Sequence, residues 1–368
     1  MWFLLLFINC FFAYMAEKYF EREKQRCIFF LFLIVFFNVF FIGLRSSDVG
    51  IDSSYIPIYF DYARNIDDIL EESDFDKGFL LLAYLARLVG DDSQVLMVFT
   101  EFIIIFFVVL GIYELKKTIK CSIFWFILLF MFLYQEQSFN IMRQYCAMSI
   151  VFYGFSLWVQ KRYYSYLICQ IVGYFFHSTS IIFILVPLCH WFSYKDEKYR
   201  YLYAIGSILF LSFLLLSYYS FLAYIESLQV LKESYYETYG LGSRFTSEDG
   251  TYSPRAIVIF IVEVLLCYFL SKKKNVSDDV IYMLLMLSVI NLLLIEMKTV
   301  MEYFYRLSYY VGFVLIVYIS GIFENKRLEV SLLLLAYLIL VVQGSFYFYD
   351  NDSLKALKCI YKSKILGI

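Results

Sequence analysis

Charge is scarce in this 368-residue chain. Asp, Glu, Lys and Arg make up 17% of it, and 62% falls in the apolar class AVILMFWYC. Soluble domains carry about 25% charged residues, so there is too little here to cover a water-exposed surface. Length alone would allow two or three soluble domains, and composition excludes them. Three prolines and fifteen glycines are too few for a disordered or linker-rich chain. The two histidines offer no His-rich metal centre. The eight cysteines show no CxxC or paired spacing, so neither a zinc site nor a disulfide framework is indicated. Lying mostly inside apolar runs, they read as small apolar residues. No GxxxxGK[ST] or GxGxxG sequence is present, which argues against ATP-driven transport. The net charge of −2 predicts no nucleic-acid partner. No internal repeat is visible.

What is present is a series of continuous apolar runs. A β-barrel would alternate apolar and polar residues, so an all-α polytopic membrane protein is expected. A crossing helix needs roughly 20 apolar residues. Runs lie near 1–16, 27–44, 94–113, 121–134, 138–159, 163–176, 178–192, 201–222, 254–271, 279–297, 300–322 and 329–346, about twelve spans. A shorter amphipathic run near 78–90 predicts an interfacial or re-entrant helix. The run 163–192 is too long for one span and predicts a hairpin turning at His177. The first run lacks a preceding basic region and a clean cleavage site, so it reads as a span with its N-terminus outside.

Six basic clusters test the count: Lys18/Arg22/Lys24/Arg26, Lys116/Lys117/Lys120, Lys161/Arg162, Lys195/Lys198/Arg200, Lys272/Lys273/Lys274 and Lys326/Arg327. With twelve spans each follows an odd-numbered span, which puts all six on the cytoplasmic side. The predicted organisation is one integral membrane domain, 1–368. Its outer face carries loops 45–77 and 223–253 and a tail, 347–368. Cytoplasmic connections are short, so any chemistry is expected outside.

A few polar residues then need a reason. Arg45 opens a stretch holding Asp48, Gly50, Asp52 and Tyr55. It reads either as a lip for a phosphate and a sugar or as an Arg–Asp pair at a helix end. Arg143 shares a helix face with Asn140, Gln144 and Ala147. A charge near membrane depth faces a polar cavity or snorkels to the interface. His177 sits between two runs of about fourteen residues, each about 21 Å long, so the hairpin tip falls short of the outer surface. Lys298, Glu302 and Arg306 recur every four residues, as an intrahelical ladder or as cations facing the same cavity. Asp74-Phe75-Asp76 matches a short metal-binding DxD pattern that is common by chance. Arg244 and Arg255 stand among tyrosines, which suits sugar contacts or an aromatic belt. Arginine forks match phosphate oxygens, and here they recur on several outer elements.

Four stretches in order carry a resemblance. They are Gly43-Leu44-Arg45 through Gly50 and Asp52 to Tyr55 and Tyr59; Asp76-Lys77-Gly78-Phe79; Met142-Arg143-Gln144 with Ala147-Met148-Ser149, then Lys161, Tyr166 and Phe176-His177-Ser178; and Tyr305-Arg306. In these the chain resembles the EpsG family of bacterial polysaccharide polymerases, related to the Wzy-type O-antigen polymerases. At position 76 that family often has a different acid, and no role is carried over to Asp76. The resemblance implies a GT-C-like membrane glycosyltransferase of the bacterial cytoplasmic membrane, with its site facing outward. Its substrates would be undecaprenyl-pyrophosphate-linked oligosaccharide repeat units in the membrane lipid. Its partners would be the chain-length regulator and flippase of the same pathway.

On that reading Arg143, Arg45, Arg306 and Lys298 hold the pyrophosphate. His177 or Asp52 takes the acceptor proton. Asp48, Tyr55, Gln144, Arg244 and Glu302 contact the substrate. No cofactor is called for, and no metal if arginines stabilise the leaving group. A flippase would share the cationic cavity but should open to both sides. An O-antigen ligase would use similar arginines and a histidine. An acyltransferase would need a cytoplasmic or midplane acyl tunnel, which the sidedness disfavours.

Overall fold

The structure, a computed structural model, describes residues 2–50, 52–65, 76–119, 121–193, 254–271, 278–296 and 305–322. Every regular element among them is helical. In chain order they are α1 (Trp2–Tyr19), α2 (Lys24–Gly43), α3 (Ile56–Tyr62), α4 (Lys77–Val89), α5 (Gln94–Lys116), α6 (Ile123–Leu133), α7 (Met142–Val159), α8 (Tyr163–Phe176), α9 (Leu185–Ser193), α10 (Pro254–Ser271), α11 (Asp278–Glu296) and α12 (Tyr305–Ile322). These twelve are not the twelve apolar runs, since α3 and α4 are additional. The runs 201–222 and 329–346, the loop 223–253 and the tail 347–368 lie outside the described residues. Among the described helices, α2 and α5 are long and apolar enough to cross a membrane.

The chain forms two compact units, split at Phe183 and again within α12 at Leu315. In the second unit α11 packs against both α9 and α10. The first unit holds α1 to α8.

There α7 is the hub, packed between α5 and α8, and most of its side chains are buried. Alongside, α1 and α2 form a pair joined by a reciprocal amide contact. Asn9 Nδ2 donates to Asn38 Oδ1 at 3.2 Å, and Asn38 Nδ2 donates back at 2.8 Å. Two amides that satisfy each other avoid the cost of burying either alone.

One end of this unit is built around Glu17, at the close of α1. Its carboxylate pairs with Lys116 at the end of α5 and accepts from the backbone N–H groups of Ile123 and Phe124. It thus caps the N-terminus of α6, where a negative charge is favourable. Gln160, just past α7, donates to Glu114 of α5 at 2.9 Å. Arg26 stacks over Tyr19 at 5.3 Å. The basic residues at 18–26, 116–117 and 161–162 therefore gather at one end. The C-terminus of α2 and the N-termini of α5 and α7 lie at the other.

The amphipathic segment forms α4 as its spacing predicts, with Phe79, Leu80, Ala83 and Ala86 buried. The helix also breaks where expected: α8 stops at Phe176 and His177 is extended, with φ −164 and ψ 123. Beyond it the run is not one helix. Residues Ser178–Ile184 are 3₁₀, and the α-helix starts only at Leu185. Pro187 explains this. It lacks an N–H and is tolerated only in a first turn, while Ser178, Thr179 and Ser180 compete locally for the backbone.

Candidate functional site

At the end away from the basic residues, the segment 45–55 folds back onto the start of α7. From the sequence, Arg45 reads either as a lip for a phosphate and a sugar or as an Arg–Asp pair at a helix end. Its side chain is turned into the protein, and the residue is 2% exposed. It donates to Ile42 O at 2.8 Å and to Ser53 Oγ at 3.0 Å, and stacks over Phe139 at 4.3 Å. The reason lies in the loop. Gly50 has φ +100, and a Cβ there would lie 2.6 Å from Phe139 Cβ, so this turn presses on the residues just before α7. Asp52 is held in the same way. Its Oδ2 accepts the Met142 backbone N–H at 3.2 Å, which serves the N-terminus of α7. Arg45 and Asp52 therefore fix the place from which the next residue, Arg143, projects.

Arg143 meets two partners. Its Nη1 lies 2.8 Å from Asp76 Oδ2, and its guanidinium sits 5.2 Å above the Tyr59 ring. The same Asp76 oxygen is 3.1 Å from His177 Nδ1. One carboxylate thus joins the first turn of α7 to the residue that ends α8. Asp76 stands at the N-cap of α4, where a carboxylate commonly accepts from its own helix. Here it makes no such bond, and the side chain is spent on Arg143 and His177. The approach of α4 to α8 is close. A Cβ on Gly78 would lie 2.8 Å from Phe175 C and O.

Tyr59 belongs to the cluster as well. Burial pushes its phenol above the usual range; Arg143 opposes this, while Asp52, Asp76 and Tyr55 add to it. It is a neutral ring under the Arg143 cation. Arg87 of α4 holds α3 in position by donating to Phe60 O at 2.9 Å.

The family model for EpsG matches residues 28–360. The chain belongs to the EpsG family. No curated protein and no solved structure matches it. EpsG-family membership links the chain to exopolysaccharide biosynthesis.

The other expected site residues of this EpsG-family chain are placed as follows. Tyr55 is half exposed beside Tyr59, and Asp48 accepts from Ser46 Oγ at 3.3 Å. Gln144 and Ala147 are buried among the helices, while Arg143 reaches solvent. Arg306 lies in the first turn of α12, within the second unit. Lys298, Glu302, Arg244 and Asp74 lie outside the described residues. Among the described residues no group of three metal-ligating side chains is assembled. What binds Asp76 is a guanidinium and an imidazole.

Sequence reasoning weighed Asp76 only as half of a DxD pattern and carried no role over to it. A signal existed: it is an acid at the cap position of an amphipathic helix, on the same predicted face as His177 and Arg143. Glu101 was passed over. It lies in α5, 2% exposed, and accepts from Gln135 Nε2 at 3.2 Å. A single acid inside an otherwise apolar run was its signal.

Proposed function

We propose that this EpsG-family protein polymerises undecaprenyl-pyrophosphate-linked oligosaccharide repeat units on the outer face of the bacterial cytoplasmic membrane. It is a multi-pass, GT-C-like glycosyltransferase that needs no metal. The observation that carries the reading is the shared carboxylate of Asp76, which brings together Arg143 and His177. A glycosyl transfer with a diphosphate leaving group needs both functions in one place. A cation must meet the charge developing on the phosphates, and a base must take the acceptor proton. Arg143 is the cation, and His177 is the base. Arg45 and Asp52 act one step behind, by holding the start of α7. The gathering of basic residues at the opposite end of the unit supports an outward-facing site. Tyr55 and Asp48, on the same unit, are further substrate contacts. A chain-length regulator and a flippase supply the expected partners.

The test is purified protein with defined undecaprenyl-pyrophosphate repeat units. A glycan ladder formed without another enzyme is the expected result, and Arg143→Ala abolishes it. Lipid movement across vesicles without a ladder makes the protein a flippase. Transfer only to a lipid A core acceptor makes it a ligase.

A further inference from the structure

Asp76 offers one oxygen, Oδ2, to two donors: Arg143 at 2.8 Å and His177 at 3.1 Å. The two partnerships differ in how firmly they are fixed. Asp76 stands at the N-cap position of α4, whose first turn is locked on the Phe175–Phe176 backbone at Gly78. His177 follows those residues directly and ends α8, its N–H bonded to Gly173 O at 2.9 Å. Asp76 and His177 are therefore carried by two elements in close backbone contact. Arg143 reaches the carboxylate from α7 on a long side chain, and it is the most exposed of the three. Its side chain is 28% exposed, against 16% for Asp76 and 13% for His177. An incoming anion meets the arginine first.

We propose that Asp76 is a transferable counter-ion that couples diphosphate binding to activation of His177. This rests on the polymerase reading for its substrate. In the free protein the Arg143 guanidinium neutralises much of the Asp76 charge. A diphosphate presents oxygens that match the guanidinium fork better than one shared carboxylate oxygen does, so it draws Arg143 away. The Asp76 carboxylate is then left to His177 alone. Its Nδ1–H bond to Oδ2 strengthens, and Nε2 on the far side of the ring becomes the better proton acceptor.

The transfer then balances. The acceptor hydroxyl oxygen bonds to the anomeric carbon. The bond from that carbon to the phosphate oxygen breaks, and its electron pair leaves on the diphosphate beside Arg143. The hydroxyl proton passes to His177 Nε2, while Nδ1–H stays on Asp76. Base strength is thus raised only when a donor is bound. Asp76 is a positioning residue in this scheme, because it acts through the other two.

The chain has only two histidines, which makes the imidazole nitrogens a clean probe. The experiment is the ¹⁵N spectrum of histidine-labelled full-length protein in lipid nanodiscs, titrated with inorganic pyrophosphate. The His177 signals are those lost in His177→Gln. Pyrophosphate is expected to shift them in the wild type. Arg143→Ala is expected to show the shifted position without ligand and no further response. Arg143→Gln is the second variant, should the alanine fail to fold, and is expected to be equally unresponsive. Asp76→Asn is expected to lose the Nδ1–H signature, and Asp76→Glu to keep the response. A response of equal size in Arg143→Ala, or none in the wild type, overturns the coupling. Protein that makes a ladder while His177 stays silent loses this inference alone. Protein that shows the response but makes no ladder keeps the coupling and loses the polymerase.

Discussion

In the proposed transfer His177 and Asp52 are the two candidate bases, and their surroundings differ. Asp52 is committed to the Met142 N–H at 3.2 Å, whereas His177 leaves Nε2 pointing away from its bond to Asp76. His177→Ala should therefore lower ladder formation by about 10²–10⁴-fold, with partial recovery on adding imidazole. Asp52→Ala should cost about 0.5–2 kcal/mol of stability through the lost cap and gain nothing from imidazole. Thermal unfolding and a ladder assay with and without imidazole check both. Tyr59 gives a pH prediction. Its folded-state phenol is pushed up by burial, above an unfolded value of about 10. The unfolded chain therefore releases this proton first. The stability involved is present below about pH 10 and is lost as pH rises towards the folded value. Tyr59→Phe should lose less thermal stability than the wild type as the pH rises above about 10. At this scale Arg143 and His177 were legible in the sequence, because each is a polar residue with no other business in an apolar run. Asp76 was not. Its partners are 67 and 101 residues away, and nothing in a local pattern joins them.

Elements were easier to read than contacts. Periodicity placed α4 near 78–90, and α8 with its stop at His177, because an amphipathic stripe and a polar break are local signals. The 3₁₀ stretch from Ser178 to Ile184 was not legible from hydropathy, since its apolar residues would suit either helix type. The approach of α4 to α8 was also hidden, and it governs the site. A methyl at position 78 would lie 2.8 Å from Phe175 C and O and 2.9 Å from Phe176 N, all of them backbone atoms. These cannot swing aside as a flexible side chain would, so the start of α4 must move. Asp76 stands only two residues earlier. Gly78→Ala should cost about 1–3 kcal/mol in stability, as other overpacked contacts do. It should lower ladder formation by more than that cost explains, by pulling Asp76 from His177. Thermal unfolding alongside the ladder assay separates the two effects. In the ¹⁵N spectrum the His177 Nδ1–H signature should weaken as it does in Asp76→Asn.

At the scale of the molecule, the two ends of the first unit carry different chemistry. Glu17, Lys116, Glu114 and Gln160 tie α1, α5, α6 and α7 together at the end that holds the basic residues. Arg45, Asp52, Asp76, Arg143 and His177 gather at the other. Gln94 of α5 belongs to that second end, because its side chain donates to Gly43 O at 2.6 Å and to Arg45 O at 3.1 Å. In the proposed topology the positive-inside bias puts the first end in the cytoplasm and the second outside. Single cysteines report this directly. Glu21, in the turn between α1 and α2, and Asp91, just before α5, are both exposed. In a background lacking the eight native cysteines, Asp91→Cys should react in intact spheroplasts with a thiol reagent that does not cross membranes. Glu21→Cys should react only after the membrane is opened. The reverse pattern would put Asp76 and His177 in the cytoplasm, away from any outward-facing lipid-linked donor, and the proposed polymerisation could not occur at this site. Labelling of both in intact cells would mean that the unit does not span the bilayer with its two ends apart. The helices were legible from their apolar runs, but only the contacts of Glu17 and Gln94 show which ends meet.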